Sequence, residues 1–405
     1  MSILSIFEKE KDEVSLLIDL GNRSITSSFV VFSRNNVPRF LYTTKSELSI
    51  LDKPEASKIF EDMVNLLDEM LKIVTKQSFA LPYWKGKDKK LAHVMISFSS
   101  PWFVSKTKHI VLSKEISFII SQTFLDDVVQ KEEEIFKKEL LNNKDFKSDS
   151  FDIVEKSIVH TKINGYRLRN SVGKKAKTFD AFLFMSVIDE SILKKISNII
   201  LKHTHIPREK ILMHTFPLVS FSAIRDIFID NQDFLLLDVT GETTSLTLVI
   251  DDVITGVVTV PSGKNFIIRE ITKTFDVPEE IALSMFHLYI SKKMNDSDVL
   301  RIEEILINTE KEWAIYLENA LIDLSPEMIL PSRVYITADS DVANLYMDFL
   351  KLPKTDATSV FRKNIDLVRI NENVLKSFYK NESVNQVDEF IVLLATFYNK
   401  IMRNQ

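Results

Sequence analysis

The chain has 405 residues, 45% of them apolar, which is enough for two or three domains with real cores. A net charge of −5 and a pI near 5.9 give no basic field for nucleic acid, and the lack of cysteine excludes disulfides and thiolate chemistry. No apolar run reaches the roughly 18 residues of a spanning helix, and the first residues lack the pattern of a signal peptide, so a cytosolic chain is expected.

Met1 to Phe7 is apolar at positions 3, 4, 6 and 7 and then charged, a frayed terminus or a short amphipathic foot. Strands are expected at 14–20, 25–33 and 38–44, with a turn at Asn35-Asn36. A helix follows from Pro54 to Lys76, where Ile59, Met63, Leu66, Leu67, Met70 and Val74 recur at helical spacing. Lys85 to Lys90 reads as a solvated loop, as does Lys174 to Lys177. Leu91 to Phe98 is a buried strand that Ser99-Ser100-Pro101 breaks. Next come a charged helix near Asp126 to Leu141 and strands near 153–160, 166–169 and 179–188, with a hairpin at Asn164-Gly165. Asp189 caps a helix running through His203. The apolar run from Phe234 ends in an Asp-x-x-Gly tip, and β-rich runs follow at 246–250 and 253–260, turning at Asp251-Asp252. Pro261-Ser262-Gly263 opens a helix, Pro278 to Leu324 is nearly all helical, Arg333 to Thr337 is a strand, and Asp388 to Met402 is a closing helix.

Two of these segments have one design. Ser15 to Asn22 and Phe234 to Thr244 are apolar runs ending in an acid and a glycine, each followed by a second β-rich run. Such a hairpin tip can approach phosphate closely through backbone N–H groups. The chain has only 7 glycines, far below the usual ~7%, so Gly21 and Gly241 at the tips carry weight.

A hairpin, helix and strand set that occurs twice resembles the actin, sugar-kinase and heat-shock ATPase superfamily, and within it the FtsA and PilM type of bacterial actin-like protein. Asp19-Leu20-Gly21-Asn22-Arg23-Ser24 sits where that family has its first phosphate loop, and Asp238 to Ser245 at its second. Val257 to Gly263 matches the strand and turn that follow, and Val334 to Ser340 stands in place of the adenosine motif. Gly165 to Gly173, then Phe182 to Val187, resembles the segment inserted in FtsA, with Ser171 where that turn has proline. The resemblance implies an α/β fold of duplicated, ribonuclease-H-like lobes around a nucleotide cleft, with an inserted α+β subdomain. It divides the chain into lobe I at 1–98 and 189–230, the insert at 99–188, and lobe II at 231–263 and 332–405 with a short helical subdomain at 264–331.

The same resemblance implies ATP and Mg²⁺ as ligands, held by Asp19, Gly21, Asn22, Ser24, Asp238, Thr240, Gly241, Thr243, Thr244, Gly263, Ala338 and Asp339, with Asp19 and Asp238 toward the metal. Those two acids could equally satisfy the amides of their own hairpins. Several departures point to a degenerate site without hydrolysis. Ser24 replaces a lysine and Glu242 a glycine. Ala338 to Asp341 carries no glycine, and Leu283 and Phe286 stand where ribose- and base-contacting residues would be.

His203 and His205 read as a solvated helix end, and Lys131 to Glu139 as a solvated helical face. Trp102, Phe103, Tyr166 and Phe182 are either an aromatic surface of the insert or part of its core. The resemblance implies a scaffold peripheral to the inner membrane. In the FtsA-like version it assembles with copies of itself and recruits an FtsZ-like division protein. In the PilM-like version it binds the tail of a pilus membrane protein in a groove beside the insert. A working ATPase or small-molecule kinase is the alternative of another class.

Overall fold

A computed structural model describes residues 12–50, 55–142, 150–168, 170–327, 329–351 and 365–404. The expected N-terminal foot lies outside them. Strand β1 (Glu13–Leu20) is buried almost end to end because both of its faces are covered, as its apolar residues on both faces require. It pairs antiparallel with β2 (Ser24–Phe32), which pairs in turn with β3 (Arg39–Glu47). Helix α1 (Ala56–Phe79) covers one face with Ile59, Met63, Leu67, Met70 and Val74, and β4 (Val94–Phe98) lies parallel to β1.

The chain then leaves the sheet. Strand β5 (Phe103–Ile119), helix α2 (Gln122–Asn142) and strands β6 (Phe151–Ile163), β7 (Tyr166–Arg167) and β8 (Lys175–Asp189) build an inserted antiparallel sheet in the order β5-β8-β6-β7. Helix α2 covers it, packing Phe136 and Leu140 on Leu183, Met185 and Val187. Asn164 and Gly165 both take positive φ, the geometry that makes Asn-Gly a hairpin turn. Strand β5 is absent from the sequence-based expectation. Its side chains are mostly exposed, so no apolar alternation marks it.

Helix α3 (Glu190–Thr204) starts where expected, with Asp189 Oδ1 accepting from the Ser191 amide at 2.7 Å. Strand β9 (Ile211–Thr215) adds beside β4, and α4 (Phe216–Ile227) follows. The design then repeats. Strands β10 (Phe234–Val239), β11 (Thr244–Ile250) and β12 (Val253–Val260) form a meander, with helices α5 (Lys264–Phe275), α6 (Glu279–Ile290) and α7 (Asp296–Leu324) packed on it. Strand β13 (Arg333–Ala338) lies parallel to β10, and after α8 (Ala343–Lys351) comes β14 (Asp366–Arg369) parallel to β13. In chain order within each lobe, both sheets run third, second, first, fourth, fifth strand, with β15 (Lys380–Asn381) appended to lobe I after the short α9 (Glu372–Leu375).

That last pairing corrects one expectation. Of the segment assigned to lobe II at 332–405, β13 and β14 stay there but the end crosses to lobe I: β15 pairs with β3, and α10 (Glu389–Asn404) packs on β1, β2 and α4. The cause is apolar burial. Ile391, Leu393, Leu394 and Ala395 are fully covered in a core shared with Leu17, Val30, Phe216, Val219 and, from lobe II, Phe234, Leu236 and Tyr335. This core joins the two lobes beneath the cleft.

Candidate functional site

The matching sheets put Asp19 and Asp238 at equivalent places, each one residue before its strand ends. Asp19 stands opposite Thr26 and beside Ser97 of β4, and Asp238 opposite Ser245 and beside Thr337 of β13. Both acids are buried, and their environments differ. Asp238 Oδ1 accepts a hydrogen bond from Thr337 Oγ1 at 2.9 Å, whereas Asp19 Oδ1 has no partner among the described residues. Burial, then the charges of Asp388 and Asp238, push the Asp19 carboxyl well above its usual range, with Lys45 opposing. Burial carries Asp238 to about 7 against the pull of its Thr337 hydrogen bond.

The space between the tips is taken by the chain itself. Asn22 Nδ2 donates to Thr240 Oγ1 at 2.9 Å and Thr243 Oγ1 at 3.0 Å, and its Oδ1 accepts from the Glu242 amide at 3.2 Å. Each turn closes on itself, Gly21 N–H to Ser24 O and Thr240 N–H to Thr243 O, both 2.9 Å. The N-terminal amides of α5 are consumed as well, Lys264 by Thr240 O and Asn265 by Gly241 O. They cannot also serve an anion, the usual use of a helix start. Gly263 is required by this packing: a Cβ there would lie 2.7 Å from Gly241 O and Thr243 N. Trp102, expected at the insert, instead packs on Phe60 in the core of lobe I and donates Nε1–H to Gly21 O at 2.6 Å. A cavity of about 20 Å³ remains beside Asp19, Gly21, Ser24 and Thr240. A single water or ion needs ~10–15 Å³, so this space is of the size of one such guest.

Glu242 does not face the cleft. It is buried against α5, where Arg269 meets Oε2 at 2.8 Å, Asn265 donates to Oε1 at 2.8 Å and the Arg23 guanidinium lies 3.9 Å away. Thr244 is also elsewhere: its hydroxyl donates to Ser262 O at 2.6 Å inside lobe II and accepts from Trp313. Phe286 is core, while Leu283 lines the cleft.

Two lysines that sequence reasoning missed organise the turn from Ala338 to Asp341, in the place of the adenosine motif. Lys45 of β3 meets Asp339 at 2.6 Å and Asp388 at 3.8 Å; Lys264 of α5 meets Asp341 at 2.7 Å and Asp339 at 3.7 Å. Burial drives Asp339 up, but the two lysines outweigh it and hold the carboxyl below its usual range. Ala338 is buried at the end of β13. Beyond this turn a polar chamber of about 770 Å³ opens, lined by Lys45, Lys264, His287, Asp339, Arg369 and Glu389 among others.

The orphaned Asp19 oxygen and the small cavity fit one cation or water. The bridged tips and occupied amides do not fit a triphosphate, and among the described residues no group of three or more acids and histidines is arranged to hold a metal. His203, expected to be solvated, pairs with Asp68 of α1 at 2.8 Å. The acidic face of α2 carries an i,i+4 pair, Glu133–Lys137, and also reaches Lys156 and Lys106 on the sheet. No helix among the described residues is long and apolar enough to cross a membrane.

Twin sheets of this topology, with an acid at each first hairpin and a four-stranded insert, define the actin-like ATPase fold expected from the sequence. In particular, the solved PilM-PilN type IV pilus biogenesis complex superposes with a TM-score of 0.63 at 12% identity, over 96% of this chain and 98% of that one. At that identity the likeness establishes the fold. Looser matches are the ethanolamine utilization protein EutJ of Carboxydothermus hydrogenoformans (TM-score 0.43, 9% identity, 98% and 92% covered) and the cytoplasmic domain of EpsL of Vibrio cholerae (0.30, 10%, 62% and 71%). No family model matches the sequence, and neither does any curated protein.

Proposed function

We propose that the chain is a non-catalytic, PilM-like assembly platform that holds a segment of a membrane-protein partner at the inner membrane face. The observation that carries this reading is the inserted sheet. Its edge strand β5 is 17 residues long, and Val104, Val111, Ile116 and Ile119 on it are exposed. A free strand edge offers backbone groups to an added strand while alternate side chains set specificity. Thr107 Oγ1 donates to Ile254 O, seating the start of β5 on lobe II and leaving its outer half for a partner. The PilM-PilN complex supplies a precedent, since in it an actin-like body of this extent is joined to a second protein. The Asn22 bridge supports the non-catalytic part, because protein atoms stand where phosphate would be gripped.

The FtsA-like reading, with an FtsZ-like partner and self-assembly, rests on one feature. Asn170 Oδ1 accepts from the Val172 amide at 3.0 Å, and Gly173 at φ 81° completes the turn expected there. Titration calorimetry of the purified chain separates the two. A cytoplasmic tail peptide of a pilus membrane protein from the same genome is expected to bind at micromolar affinity, weakened at least tenfold by V111K together with I119K. Binding of an FtsZ-like C-terminal peptide alone transfers the assignment to division, and binding of neither overturns both. ATP turnover above background in the same preparation would overturn the non-catalytic claim.

A further inference from the structure

A groove of about 590 Å³ opens on lobe I between the C-terminal ends of α1 and α3 and the loop at 85–91. Its twelve lining residues include Lys76, Lys89, Lys90, Lys210, His203 and His205, and no carboxylate, on a chain whose net charge is −5. Part of this has a local explanation. Lys76 and His203 lie in the last turns of their helices, where a cation complements the helix dipole, and His203 is paired with Asp68. Lys89, Lys90 and Lys210 come from connecting segments, end no long helix, and have no ion pair among those described. Cations gathered without counter-charge repel one another, and an anionic partner relieves that.

The shape of the groove narrows the partner. Leu91 and Ile206 form its floor at 5% exposure each, with Phe79 beside them, below the level of the lysines. A flat layer of lipid headgroups meets protruding cations and does not reach apolar atoms beneath them. A peptide enters, and a groove of several hundred Å³ suits a short stretch of chain. We propose that this groove is a second docking site, for an acidic segment of a partner protein that sets an apolar side chain between Phe79, Leu91 and Ile206 and carboxylates against Lys89, Lys90 and Lys210. The assignment is independent of the β5 edge and of the platform reading.

The test is fluorescence anisotropy of the full chain with a labelled ten-residue peptide of alternating glutamate and leucine. Binding to the wild type is expected to fall at least tenfold with K89E together with K90E, two exposed loop positions where charge reversal leaves the fold intact. It should stay within twofold with K174E together with K175E, an equal charge change on the insert. Replacing the peptide leucines by serine should weaken binding at least fivefold, because the floor is then unused. No binding to the wild type, or equal loss in both double variants, overturns the proposal. So does cosedimentation with vesicles containing phosphatidylserine that depends on Lys89 and Lys90 while the peptide is ignored.

Discussion

The two hairpin tips share a frame and divide the labour unequally. The side chains of the second tip are held within their own lobe: Thr240 Oγ1 donates to Thr243 O at 3.0 Å, Asp238 is held by Thr337, and Glu242 is clamped by Arg269 and Asn265. The first tip leaves Asp19 Oδ1 without a partner among the described residues and sends Asn22 and Arg23 across to the other lobe. One tip is scaffold and the other reaches onto it. In a ligand-gripping cleft both tips would present unfilled donors to a third body. Here one tip has become the other's ligand, and closure of the cleft depends on residues of the chain.

The largest expected destabilisation tests the scaffold side. In G263A the new Cβ meets the backbone of Gly241 and Thr243 at 2.7 Å, and Thr240 O closer still. Backbone cannot yield as a side chain does, so a loss of about 3 kcal/mol in denaturant unfolding is expected. G241A meets the flexible Arg23 side chain and Asn265 Nδ2 at 3.0–3.1 Å, and G21A meets Ser24 O at 3.0 Å; each should cost about 1 kcal/mol. Equal losses at all three glycines would erase the distinction between the tips.

The acids sharpen it through pH. A carboxyl whose folded pKa is raised keeps a proton that the unfolded chain has released. Its contribution to stability is complete below the unfolded value near 3.8 and is lost as pH rises through the folded value, about 7 for Asp238. D238N keeps an acceptor for Thr337 and removes this dependence. Relative to wild type it should gain up to roughly 4 kcal/mol between pH 4 and pH 8, since each tenfold difference in proton affinity between the folded and unfolded chain is worth ~1.36 kcal/mol. D19N should act in the same direction, through the window where Asp19 gives up its proton. A wild type whose stability rises over that interval while both variants stay flat would contradict the burial of these acids.

The bridge comes next in size. N22A removes the contacts to Thr240 and Thr243 and strands the buried Glu242 amide, a loss of about 1–3 kcal/mol. Hydrogen exchange should speed up at both tips, not only at residues 20–24. Faster exchange confined to the first tip would mean that the lobes are held together by the shared core alone.

Much of this frame was legible because burial leaves a strong mark: β1, β10, β12 and α3 are continuous or periodic apolar runs, and the Asp–Gly tips punctuate them. The features that decide the site's chemistry were not. Lys45 and Lys264 lie far apart in the chain and meet Asp339 only when β3 and α5 converge, so no local spacing announces them. Asn22 occupies an expected phosphate-loop position, and its residue type does not say whether the amide will serve a ligand or the opposite lobe. Glu242 had a weak signal in Arg269, but the two meet only once α5 packs on the second tip. The free edge β5 was missed for the reason that makes it a candidate surface, since a strand left for a partner lacks the pattern of a strand buried in its own fold.

The smallest expected effect is the one that most directly opposes a filled cradle to a gripping one. Millimolar Mg-ATP should leave the melting temperature of the wild type within about 1 °C. A ligand at one hundred times its Kd stabilises by about 2.7 kcal/mol, so even modest affinity would be visible. The informative companion is N22G, which vacates the space between Asp19 and the threonines of the second tip. If Mg-ATP stabilises that variant and not the wild type, Asn22 is the plug and the rest of the cradle is intact beneath it. If it stabilises neither, the α5 amides held by Thr240 O and Gly241 O are sufficient to exclude phosphate. If it stabilises the wild type, the tips open readily enough for a triphosphate to displace the bridge, and the chain is a gripping member of the fold after all.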